Sequence, residues 1–223
     1  RLGVGYVPER PKFYDWMTVS EVGWFTSGFH AKGFLSRYRK LTDRFELDPA
    51  ARLGHLSKGQ YAKVGLSLAL ASDPKVLVLD EPTSGLDLLV RREFLSSMVD
   101  LAGEGRTIVI SSHQVAEVER VASHVAFMAG GRLLLAGTLD DVKERLVRLR
   151  VLCEGMPPDP TSLGGTVLRH ERDRNQARVV LLDPDPDALA ALRVTPGVRE
   201  MQETPLTLEE AYCALLEQKE ELP

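Results

Sequence analysis

Val76-Leu77-Val78-Leu79 is an unbroken apolar run, and two carboxylates, Asp80-Glu81, follow it at once. A strand with one wet face alternates apolar and polar residues with period two. A continuous run of β-branched residues and leucine instead reads as a parallel strand covered on both faces. Parallel strands need long crossover connections, usually helices, so this run constrains the chain to an α/β layer architecture. In open α/β sheets ligands sit outside the carboxyl ends of the strands, where Asp80 and Glu81 lie. Asp80 offers a hard oxygen donor for Mg²⁺, directly or through water. Glu81 is placed to polarise an attacking water as a general base. Two acids at a strand exit are also common without any chemistry, so the run alone leaves both readings open.

The surrounding pattern extends the α/β reading. Thr18-x-x-Glu21 has the form of a capping box and predicts a helix start. Val64, Leu68 and Ala71 share one face of a helix over 59–72, which Asp73-Pro74 stops. Residues 88–102 read as an amphipathic helix and Thr107–Ile110 as a second buried strand. Residues 115–122 read as helix, 125–128 and 133–135 as strands about Gly130-Gly131, and Thr138-x-x-Asp141 as the cap of a helix running to about Leu149. A stretch rich in Pro and Gly over 154–165 marks a composition shift. Beyond it come strand-like stretches at 166–169, 178–182 and 198–202, a helix near 186–192, and a last helix opened by Thr207-x-x-Glu210. The expected division is therefore 1–149, with a helical subdomain over about 10–72, and a small α+β appendage over 150–223.

Leu56-Ser57-Lys58-Gly59-Gln60 stands twenty residues before Asp80. Free backbone N–H groups and the positive end of the helix dipole favour an anion at such a helix start. Ser57 can cap the helix and also donate its hydroxyl to a phosphate oxygen, while Gly59 permits close backbone approach. An ordinary N-cap with a turn glycine explains the pentapeptide equally well. Pro82–Asp87 forms a turn, with Asp87 at the N-cap of the next helix. His113 follows the 107–110 strand at the same sheet end as Glu81, although a lone histidine is more often structural.

Composition narrows the partners. The 223 residues carry 28 basic and 32 acidic side chains, well mixed, for a formal net charge of −4. A nucleic-acid surface would show a basic stripe instead. Cys153 and Cys213 stand far apart without ligand-spaced neighbours, which argues against a metal cluster or disulfide framework. No apolar run reaches the roughly 18 residues of a membrane helix. The dipeptide Gly-Lys is absent, so a GxxxxGK[ST] phosphate-binding loop is absent as well.

Taken together, the segments resemble the nucleotide-binding subunit of ABC transporters. LSKGQ matches the family's LSGGQ signature, VLVLDEP the Walker B strand, SGLD the D-loop and Ser111-Ser112-His113 the switch-histidine loop; Gly5–Glu9 stands where the family has its Q-loop. The resemblance covers residues 1 to about 149 and implies a P-loop NTPase fold of the ABC-cassette type that lacks its Walker A portion. It implies ATP and Mg²⁺ as ligands, with Asp80 and Glu9 at the metal and Glu81 and His113 catalytic. Ser57, Lys58, Gly59, Gln60, Glu9 and Asp87 would contact nucleotide. It also implies a head-to-tail homodimer or heterodimer that drives a separate ABC-2-type transmembrane permease, which the aromatic segment Phe13–Met17 would face; the same aromatics read equally well as core of the helical subdomain. The subunit would then sit on the cytoplasmic face of the cell membrane.

Three departures shape the expectation. The chain opens inside what reads as a strand over 2–7, without the P-loop, so it is expected to be a piece of a longer protein, inactive and poorly soluble alone. Glu9 replaces the usual Gln, as in members that pair with ABC-2-type permeases. Lys58 replaces the first signature glycine and keeps the second, Gly59. The appendage resembles the C-terminal extension of drug- and bacitracin-exporter ATPases, which favours export. Two alternatives remain: a non-catalytic truncated cassette, and a soluble ABC ATPase that serves no transporter.

Overall fold

A computed structural model describes residues 3–220, so Arg1 and Leu2, the latter the first residue of the expected 2–7 strand, lie outside the described residues. The chain divides between Gln114 and Val115 into two compact units. The first unit holds β1 (Val4–Val7), α1 (Val19–Ser27), α2 (Phe34–Arg44), a 3-10 turn (Leu53–His55), α3 (Lys58–Ala71), β2 (Val76–Asp80), α4 (Leu88–Gly103) and β3 (Thr107–Ser111). Its three strands are parallel in the order β1-β2-β3.

The register puts Val7, Leu77, Leu79, Ile108 and Ile110 on one face of this sheet. They join one core with Val64, Leu66 and Leu70 of α3 and with Phe94, Met98 and Leu101 of α4. The other face carries Val4, Tyr6 and Val109, each at least half exposed. On the Leu77 face α3 and α4 both send their apolar side chains into the cluster, while the residues of β2 itself are all buried or half-buried. Asp80 and Ser111 are paired in register at the carboxyl ends of β2 and β3.

Between β1 and β2 the chain is mainly helical. Thr18 caps α1 in a complete capping box with Glu21, as its spacing predicts. Gly23 of α1 meets Tyr38 of α2 so closely that a Cβ there would lie 2.1 Å from the ring. The buried Tyr38 hydroxyl donates to Val19 O at 2.8 Å, which satisfies its polar tip in the core. Tyr14, Trp16, Trp24, Phe25 and Phe29 remain largely exposed.

The second unit begins with the single helical turn α5 (Val115–Val118) and the antiparallel hairpin β4 (His124–Ala129) and β5 (Arg132–Thr138). Then come α6 (Leu139–Arg145), β6 (Leu146–Cys153), β7 (Thr166–Asp173), β8 (Gln176–Leu182), α7 (Pro186–Arg193), β9 (Val198–Pro205) and α8 (Leu208–Glu220). The last four strands form an antiparallel sheet in the order β7-β8-β6-β9.

Two element expectations change here. The helix expected over 115–122 is helical only to Val118, with turns beyond. The helix expected to reach Leu149 stops at Arg145, and Leu146 opens β6, a central strand. At that junction Arg145 holds Asp183 through two 2.7 Å bonds while Asp183 N donates to Arg145 O, and Leu146 starts the pairing with Leu182. Long-range pairing there overrides a local pattern that could continue the helix. The unit boundary also falls before the composition shift near 150. Phe127, Leu135 and Val142 share a core with Leu168, Val180, Leu206 and Leu208, so β4, β5 and α6 fold with the C-terminal sheet.

Candidate functional site

Glu81 leaves β2 with φ +45, a left-handed conformation that costs a non-glycine residue on the order of 1 kcal/mol or more. Both of its backbone groups are held there. Glu81 N donates to Ser111 Oγ at 2.9 Å, and Glu81 O accepts from Ser84 N at 3.0 Å. The turn throws the side chain toward the end of β3, where its Oε2 lies 2.7 Å from His113 Nδ1. A carboxylate oxygen accepts, so the shared proton sits on Nδ1 and Nε2 is left for another partner. Glu81 is three-quarters buried at its side chain, whereas His113 is 66% exposed.

Asp80 is anchored on both oxygens. Ser111 Oγ donates to Oδ1 at 2.7 Å, and the Tyr6 hydroxyl donates to Oδ2 across a long 3.4 Å. Partial desolvation at the sheet surface, followed by the Asp80 charge and this bond, pushes the Tyr6 hydroxyl above its ordinary pKa. Ser111 therefore serves both acids: it donates to Asp80 and accepts from the Glu81 backbone. Sequence reasoning assigns roles to Asp80, Glu81 and His113; Ser111 and Tyr6 fall inside the matched motifs but carry no role there. The signal for Ser111 was its place as the last residue of a parallel strand, beside Asp80.

The turn after Glu81 is also braced. Leu86 N donates to Thr83 O, and Asp87 caps α4 by accepting from Leu89 N at 3.1 Å and Val90 N at 3.0 Å. Arg91, one turn into α4, donates from Nη2 to Leu86 O at 2.9 Å and from Nη1 to Gln114 Oε1. Gln114 N donates to Ser112 Oγ at 3.0 Å. Arg91 and Gln114 were likewise not foreseen.

At the start of α3, Ser57 and Gln60 form a reciprocal capping box, with Gln60 N to Ser57 Oγ at 3.2 Å and Ser57 N to Gln60 Oε1 at 3.0 Å. Gly59 is buried against α4: a Cβ at Gly59 would sit 2.4 Å from Val90 Cγ1. Lys58 is exposed, and its Nζ reaches over Gly85, which has φ +72. The N-terminal turn of α3 thus lies on the Gly85–Val90 segment. Glu9 stands two residues beyond β1, 3.5 Å from Arg10, with no bond to the other site residues among the described residues. No group of three or more His, Cys, Asp or Glu suited to a metal occurs among the described residues.

A family model described as "AAA domain, putative AbiEii toxin, Type IV TA system" matches residues 36–119, the part that carries both halves of this site. An uncharacterized ABC transporter ATP-binding protein of Synechocystis is 36% identical over 146 residues, 62% of this chain and 41% of the relative. The Nod factor export ATP-binding protein I of Rhizobium etli is 30% identical over 223 residues, 96% of this chain and 70% of the relative. The chain spans half or less of the length of the Synechocystis, Nostoc and Bacillus subtilis relatives it matches, at 41%, 44% and 50%. Among solved structures, the ATP binding subunit of an ABC transporter superposes with TM-score 0.55 at 30% identity, over 65% of this chain and 62% of that one. An ATP-binding cassette of an ABC transporter superposes with TM-score 0.56 at 21% identity, over 63% and 64%, and bears on the fold alone. The α/β fold is that of an ABC ATPase cassette, a P-loop NTPase fold. The alignment with the Rhizobium relative runs through nearly the whole chain, and on that basis the chain belongs to the family of ABC transporter ATP-binding proteins.

Proposed function

We propose that this chain carries the hydrolytic carboxylates of an ATPase that powers an exporter. The observation that carries the reading is the 2.7 Å contact between His113 Nδ1 and Glu81 Oε2, beside the doubly anchored Asp80. Glu81 takes the proton from the attacking water, and His113 holds the carboxylate in place while its Nε2 points away from that bond. Asp80 is the residue that would hold Mg²⁺. The donor chemistry fits: one aspartate, backed by Ser111 and Tyr6, suits an ion that keeps several waters and takes its other ligands from phosphate oxygens. When bound, the ion would offset negative charge on the phosphates. Glu9 is assigned a metal or water contact on family resemblance alone.

Ser57, Lys58, Gly59 and Gln60 would meet the terminal phosphate of a nucleotide held by a second subunit, homologous or identical, in a head-to-tail dimer. The free N–H groups at the start of α3 and the Lys58 ammonium supply positive potential there. Asp87 keeps the neighbouring turn in shape as the cap of α4. Residues 1–223 alone are expected to turn over ATP poorly, since they contain no GxxxxGK[ST] loop. No helix among the described residues is long and apolar enough to cross a membrane. Attachment to the membrane would run through a permease of ABC-2 type, received on the exposed aromatics Tyr14, Trp16, Trp24, Phe25 and Phe29. Export is favoured by the Rhizobium relative, whose name states an export function.

The test is Glu81→Gln in the assembled ATPase that contains this chain. Turnover should fall about 100-fold or more while ATP is still bound. Undiminished turnover removes Glu81 from the role of base.

A further inference from the structure

We infer that Arg91 is a positioning residue for the hydrolytic pair, acting through Gln114 on His113 and through Leu86 on the turn that carries Glu81. The inference rests on the assignment of Glu81 and His113 above and extends it to how the pair is kept together.

The Glu81–His113 contact joins two loops from different strands, and each loop needs its own fixed point. On the Glu81 side, the turn is closed by Ser84 N to Glu81 O at 3.0 Å and Leu86 N to Thr83 O at 3.2 Å. Leu86 is buried, and its carbonyl accepts from Arg91 Nη2 at 2.9 Å. On the His113 side, the residues after β3 have left the sheet ladder. Gln114 is fixed there by Ser112 Oγ at its N–H and by Arg91 Nη1 at its side-chain oxygen. One guanidinium therefore brackets the segment after Glu81 and the segment after His113. A planar fork with several fixed donors can serve two acceptors at once, and a lysine ammonium on a flexible stem does so poorly.

The bracket also has a direction. Leu86 immediately precedes Asp87, which caps α4, and α4 carries Val90 against Gly59 of the signature helix. In the proposed dimer that helix start faces the nucleotide of the other subunit. Arg91 therefore stands between the contact of α4 with the signature helix and the segment that carries His113.

The experiment is a steady-state series in the assembled ATPase with Arg91→Ala, Gln114→Ala, the double variant, and Gln114→Glu, which keeps an acceptor oxygen. Both single variants should lower kcat on the order of tenfold with KM for ATP within about twofold, because a small misplacement of reacting groups costs rate more than binding. The double variant should be no slower than the worse single one, as expected for residues that act as one unit, and Gln114→Glu should stay near the parent. Arg91→Ala risks the fold, since the side chain is half-buried; Gln114→Ala leaves α4 intact and tests the link alone. Wild-type kcat in Gln114→Ala, or losses that multiply in the double variant, overturn the inference. Glu81→Gln run in parallel separates the two claims. Its silence sinks the base assignment, whereas a dead Glu81→Gln beside a fully active Gln114→Ala sinks only the bracket.

Discussion

The two halves of the site are built by opposite means. At the start of α3, Ser57 and Gln60 satisfy each other across three residues, so the local sequence suffices to shape the helix entrance. At the end of β2, one local bond, Ser84 N to Glu81 O, closes the turn, and the rest of the hold on Glu81 at φ +45 with its side chain on His113 is long-range. The partners come from Ser111, thirty residues on, and His113, thirty-two residues on. The first half is a device that the chain uses again at Thr18-Glu21 and Thr207-Glu210 with no site attached. A capping box by itself therefore says helix, and the long-range half says chemistry.

Ser111→Ala tests the long-range half most directly. It removes the donor to Asp80 and the acceptor for Glu81 N together, so kcat should fall on the order of tenfold. Stability should drop by about 0.5–1.5 kcal/mol, since the bond is exposed and water can take the place of the lost partner. Parent-like turnover and an unchanged urea midpoint would place the two acids under local control after all.

Gly59→Ala probes where the local half stops being local. A methyl at Gly59 meets Val90 Cγ1 at 2.4 Å, so the variant should lose about 1–3 kcal/mol in urea unfolding. Val90→Ala in the same chain should recover most of that loss. Failure of the second change to rescue would mean that α3 and α4 are not in contact at this point.

The smallest effect separates two copies of the same cap. Thr207 N–H and Arg148 hold the Glu210 carboxyl below the usual glutamate range, the backbone bond being the larger cause. A lowered folded-state pKa adds stability that is present above the unfolded value, roughly 4.3, and is lost as pH falls through the folded one. Gln60 takes the corresponding place at α3 and has no proton to gain. Glu210→Gln should therefore flatten part of the acid limb of the stability curve, and Gln60→Ala should leave that limb's pH dependence unchanged. An equal change of slope in both variants would contradict this.

Much of the first unit was legible because its signals are short-range or compositional. The run ending at Asp80, the caps at Thr18, Ser57 and Asp87, and the Asp73-Pro74 stop each act within one turn or one strand. In the second unit, Leu146–Leu149 follow a capped helix and carry residues that tolerate helix or strand. Only pairing with Leu182 on one side and Pro205 on the other settles them as strand. The roles of Ser111, Tyr6, Arg91 and Gln114 are not written in the sequence for a related reason. Serine, tyrosine, arginine and glutamine are ordinary surface residues until a fold brings a particular carboxylate or carbonyl within reach.

Local pattern in the chain specifies the α/β layering, the helix entrances at Ser57 and Asp87, and the delivery of Asp80 and Glu81 to the carboxyl end of a parallel strand. Hydrophobic periodicity and capping depend on neighbours a few residues away, and the chain states them outright. Tertiary structure alone decided that Ser111 joins the two acids, that His113 meets Glu81, that Arg91 brackets both loops, and that one face of the β1-β2-β3 sheet carries exposed Val4, Tyr6 and Val109. Those contacts depend on register between strands and on which helix packs over which face, and both are properties of the assembled layers.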